Sequence, residues 1–161
     1  MIANLRPTSD AEIDRLLANP AEITRFLYGG GAADGVERVG LSKAWHAIHF
    51  VLTGSRLGGE APLNFLVDEG TPVGEVDVGF GPARVLRSDQ VRRIAAALVP
   101  IDPDEVARRV DVQRFDQEAI YPGHWQRNGT SVDDVVTHYR AMRDLIGRAA
   151  DRGQGLVLYI H

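Results

Sequence analysis

The chain has 161 residues, 44% hydrophobic and 25% charged, with a formal net charge of -4. That length suits one domain burying roughly two thirds of its unfolded surface, and that composition is globular rather than fibrous, disordered or membrane-embedded. No cysteine occurs, which excludes disulfides, thiolate nucleophiles and cysteine-bound metals, and the scattered basic residues form no stripe for nucleic acid.

The start, Met1 to Arg6, lacks a basic and apolar leader and reads as a cytoplasmic N-terminus. It reads as a strand closed by Pro7. Ser9 and Glu12 form a capping box for a helix over 10–18, and Asn19, Pro20 and Glu22 start a second, reaching Tyr28. Gly29, Gly30, Gly31 and Gly35 then predict a mobile connection, without the lysine or serine of a phosphate loop. Trp45, Ile48, His49 and Leu52 fall at i, i+3, i+4 and i+7, one face of a helix over 41–53 that Gly54 stops.

The short apolar run 63–67 predicts a buried strand. Residues 70–82, dense in glycine and proline, predict an ordered loop. Ser88 caps a helix to about Leu98, and Asp102, Pro103 and Glu105 start another. Ser131 and Asp134 open a long amphipathic helix whose polar face spaces Arg140, Asp144 and Arg148 for solvent ion pairs. After Gly153 and Gly155, the continuous apolar run 156–160 predicts a central strand. No stretch approaches the ~20 apolar residues of a membrane span. The expected fold is therefore α+β, one domain over 1–161, with a small sheet including both terminal strands and several packed helices.

Catalytic signatures are weak. His46 and His49 stand three apart, whereas a zincin needs four with an intervening glutamate. A third ligand would have to come from His124, His138, Asp68, Glu69 or Asp77, so no metal and no cofactor is expected. His46 is expected to face solvent, while His49 is either a buried structural histidine or part of a pocket. Gly79 and Gly81 begin like a dinucleotide fingerprint, but Arg84 occupies the third glycine position. Asp116 and Glu118 read as a solvated carboxylate pair. Tyr121 and Trp125 flank a proline and glycine turn, either closing the core or forming one wall of a groove opposite Trp45 and His49.

Trp45, His49, Phe50, Leu52, Thr53 and Gly54, the run Gly79 to Arg84, and Ile120, Tyr121, Pro122 with Trp125 resemble the YfbM-like family of uncharacterised bacterial proteins. The resemblance implies a bacterial, cytoplasmic, single-domain protein of mixed helix and strand, with no catalytic residues to transfer. His46 departs from that pattern.

Two functional expectations follow. The first is a binding or protein-interaction module with a protein partner, favoured by the acidic balance and the missing catalytic signature. The second is a pocket for a small polar ligand, built from Trp45, His49, Arg84, Tyr121 and Trp125, with His49 as acid or base and Arg84 as charge clamp. A cleft lined by these residues would favour the second, and a packed Trp45 with an apolar patch elsewhere would favour the first.

Overall fold

The structure, a computed structural model, describes residues 1–29, 37–127 and 131–161. Most of the glycine-rich connection expected after Tyr28 lies outside them. In chain order come β1 (Ala3–Thr8), α1 (Asp10–Ala18), α2 (Ile23–Tyr28), β2 (Val39–Gly40) and α3 (Trp45–Thr53). Then follow β3 (Thr71–Asp77), β4 (Pro82–Leu86), α4 (Ser88–Leu98), α5 (Pro103–Arg109), α6 (Val112–Gln117), α7 (Val132–Asp151) and β5 (Gly155–Ile160).

One antiparallel sheet runs in the order β2-β1-β5-β4-β3. The last strand is thus the central one, as its unbroken apolar run predicts. Leu156, Leu158 and Ile160 enter the larger core cluster with α3, α4 and α7, while Val157 and Tyr159 enter the smaller one with Ile13, Leu16, Ile23 and Leu27 of α1 and α2. A strand covered on both faces has no polar side to alternate with.

Gly155 is fixed by close packing. A Cβ there would sit 2.5 Å from both Ile13 Cδ1 and the Leu86 carbonyl oxygen, and the latter is backbone that cannot rotate away. Gly155→Ala is therefore expected to cost about 2 kcal/mol, because overpacking at a strand junction forces the backbones apart. Urea unfolding measures it, and an unchanged midpoint would disprove the fit.

Helix starts follow the sequence closely, except that Arg87, with extended backbone, caps α4 and the expected cap Ser88 is its first helical residue. Ser9, Asp102 and Ser131 each accept a hydrogen bond from the backbone N–H three residues on, satisfying a donor the helix cannot. Four other expectations need correction. β1 continues through Pro7 to Thr8, beyond the short stretch where β2 pairs with Asn4 and Leu5. Residues 61–68 are helical turns, not a strand, with the Glu60 carbonyl accepting from Leu63 and Asn64. A short apolar run cannot by itself distinguish the two. The expected loop at 70–82 instead contains β3 and the tight turn into β4, where the Asp77 carboxylate accepts from the Gly79 and Gly81 N–H groups. β3 is an edge strand, which tolerates its proline, glycine and register shift. Arg148 reaches Glu37 at 2.8 Å, together with Arg152, instead of a solvent pair along its own helix.

α3 is the element that positions the candidate site. Every residue from Trp45 to Leu52 is buried, so it is a core helix rather than one with a single inward face. Gly54 ends it with a left-handed φ of 70°.

Candidate functional site

Because α3 is enclosed on all sides, its two histidines and its tryptophan must meet the segments that wrap it. His46 is buried, contrary to the expectation that it faces solvent, and both its nitrogens are occupied. The Tyr121 N–H donates to Nδ1 at 2.9 Å, so Nδ1 carries a lone pair and the proton sits on Nε2, which donates to the Arg56 carbonyl at 2.8 Å. His46 thus ties α3 to segment 54–60 and to the turn at Tyr121. Burial pushes its pKa down, only partly opposed by the Arg56 carbonyl.

Trp45 is 5% exposed and stacks on His46, ring centroids 4.9 Å apart, with Tyr121 on the same cluster at 6.2 Å. The Tyr121 hydroxyl accepts from the Met1 ammonium at 2.8 Å. Trp45, His46 and Tyr121 therefore come together.

Trp125 does not join them. Its ring packs edge-on against Phe115 at 5.1 Å, Phe115 in turn meets Phe50 at 5.8 Å, and its indole N–H donates to the Ile120 carbonyl. It closes the core. Asp116 has a related structural role, since its carboxylate accepts from the Trp125 and Gln126 N–H groups.

Arg84 extends on the face of β4 shared with Leu86, and its guanidinium is spent on backbone. Nη1 donates to the Glu69 carbonyl at 2.5 Å and Nη2 to the Leu66 carbonyl at 2.7 Å, with Phe65 at 3.5 Å. It holds the 61–69 segment against the sheet. Burial lowers its pKa, with Asp68 and Glu69 opposing.

His49 is the exception. It is 0% exposed, and neither Nδ1 nor Nε2 has a hydrogen-bond partner among the described residues. Burial first, then the neighbouring His46, pushes its pKa down to about 4. Asp68 and the nearby Gly58 backbone act the other way, although Gly58 does not reach hydrogen-bond geometry with the ring. The Trp45 indole N–H, one helical turn before it, is also buried without a partner. Such atoms are uncommon in native interiors and call for an explanation.

The described residues hold no group of three histidine, aspartate or glutamate side chains placed to bind a metal, and no helix among them is long and apolar enough to cross a membrane. Clefts lie elsewhere: one of about 470 Å³ between α4 and α7, and one of about 760 Å³ lined by Asp116, Ala119, His124 and Arg127.

A different feature was not legible in the sequence. Ile2, Tyr28 and Phe80 are 38%, 48% and 59% exposed, and all three belong to one end of the sheet. Ile2 pairs with His161 through two backbone hydrogen bonds, the Phe80 N–H donates to the Ile160 carbonyl, and the Tyr28 hydroxyl donates to the Val78 carbonyl. Tyr28 meets the Tyr159 ring edge-on at 6.0 Å, and Tyr159 stacks on His161 at 5.9 Å. At Gly79, with φ of 136°, a Cβ would fall 2.7 Å from His161, so glycine lets the hairpin tip close on the end of β5. These residues lie far apart in sequence.

Comparison with known proteins agrees with this architecture. The structure is similar to that of YfbM from Escherichia coli, a protein of unknown function, with a TM-score of 0.72 and 19% sequence identity over 98% of each chain. A search of curated proteins finds no match. The model of the DUF1877 domain of unknown function matches residues 1–159, and with a match of that extent the chain belongs to the DUF1877 family.

Proposed function

We propose that this protein is a cytoplasmic protein-interaction module whose docking surface is the end of the sheet formed by Ile2, Tyr28 and Phe80. The carrying observation is that three exposed apolar residues from three separate segments are each tied to the end of β5 or to the hairpin beside it. Apolar side chains left exposed at one end of a sheet favour an interaction surface, and aromatic residues dominate the binding energy of such surfaces.

The alternative, a polar-ligand pocket around His49, Arg84 and Tyr121, has less support. Trp45 and Trp125 are packed in the core, and the Arg84 guanidinium that would clamp a charge already serves carbonyls. Of the candidate pocket residues, His49 and the Trp45 indole N–H retain unmet hydrogen-bonding capacity.

Affinity capture from cell extract tests the proposal, comparing the wild-type protein with Phe80→Ser. Because Phe80 is largely exposed, the substitution is expected to leave the thermal midpoint unchanged. It is expected to weaken rebinding of the purified partner by about tenfold or more. A partner held equally well by the variant, or recovery of none, refutes the surface assigned here.

A further inference from the structure

We propose that His49 forms the floor of a second, internal binding site, covered by residues 54–60 and entered when that segment lifts. Its occupant would be a small uncharged molecule of the amide or alcohol class.

The first observation is the ring itself. A neutral imidazole offers one donor and one acceptor, and leaving either unmet in a dry interior costs about 1–3 kcal/mol. His49 leaves both unmet, with the Trp45 indole N–H on the same helical face adding a further donor. A guest that both donates and accepts would satisfy this set.

Charge decides the class. An ion buried here would need a partner, and the nearest buried cation, Arg84, is committed to the Leu66 and Glu69 carbonyls. Asp68, the nearest carboxylate acting on His49, is itself exposed. His46, the other titratable neighbour, has both nitrogens bonded. The guest is therefore uncharged.

The second observation is the cover. Segment 54–60 leaves the C-terminal end of α3, is tied back to that helix at the Arg56 carbonyl and brings the Gly58 backbone near the His49 ring, and Gly54, Gly58 and Gly59 hold φ values of 70°, 81° and 107°. Its Arg56 and Leu57 side chains are exposed rather than packed. Between its ends, the hydrogen bonds within it are local, through Thr53 and Ser55, apart from one long-range tie from His46 to the Arg56 carbonyl. Three glycines supply the dihedral freedom of a hinge, and one hydrogen bond is the latch.

The test uses the full chain labelled with nitrogen-15 at histidine, titrated with acetamide and, separately, with ethylene glycol. The His49 ring nitrogens are expected to shift saturably, while those of exposed His124 and half-buried His138 move only linearly if at all. Amide exchange over 55–59 slows in step. In His49→Phe, checked for folding by its thermal midpoint, the saturable slowing disappears. Phe80→Ser keeps the response, which separates this site from the surface patch. Unshifted His49 nitrogens with both probes, or slowing that survives in His49→Phe, overturns the proposal.

Discussion

Acidification from pH 6.5 to about 4 is expected to remove up to about 3 kcal/mol of stability through His49 alone. In the unfolded chain this imidazole takes its proton near its ordinary value of 6.5, whereas in the fold it resists protonation down to about 4. Across that window the unfolded state binds the extra proton, so stability rises with pH and is fully present above 6.5. Each pH unit of difference is worth about 1.4 kcal/mol. His46 acts in the same direction, because burial disfavours its charged form, and a proton on Nδ1 would also confront the Tyr121 N–H with a second donor. Asp10, held below its ordinary 3.8 by the Ser88 hydroxyl, gives up its share only at lower pH.

Urea unfolding at several pH values, run on the wild type and on His49→Leu, isolates the effect. The variant should show a flatter profile through the window. At neutral pH it should be no less stable, because removing an imidazole without partners leaves no other group unpaired. Equal slopes in the two proteins would show that His49 is not the buried neutral group described here.

Arg84→Met is expected to destabilise the fold by about 3 kcal/mol, chiefly by freeing the 61–69 segment. The guanidinium satisfies carbonyls of that segment from a rigid fork, and hydrogen bonds to charged groups are worth about 1.5–3 kcal/mol each. Lysine is not an adequate replacement, since a single ammonium lacks the two-armed geometry. The expected signature is a lowered urea midpoint with early proteolytic cleavage between 61 and 69. An unchanged midpoint would mean that Arg84 is available to a ligand after all.

The same residue shows why the site was harder to read than the fold. Arginine in the middle of an apolar strand is compatible with an anion clamp or with a backbone staple. What selects the second is the position of the Leu66 and Glu69 carbonyls, which come from another segment. Likewise the i, i+3, i+4 pattern of Trp45, Ile48, His49 and Leu52 identifies a helix but cannot report that its opposite face is also covered, and so placed His46 in solvent. Trp125 had two open readings, and the contact with Phe115 decides for the core.

By itself the sequence determined the local elements with strong chemistry: capped helix starts at Ser9, Asp102 and Ser131, the stop at Gly54, and the all-apolar strand at 156–160, each governed by neighbours a few residues away. Tertiary structure alone decided the turns at 61–68, the β3 edge strand, the unpartnered His49 and the patch of Ile2, Tyr28 and Phe80. Those outcomes depend on which distant groups meet a side chain or carbonyl, and hydrophobic pattern specifies burial without specifying the partner.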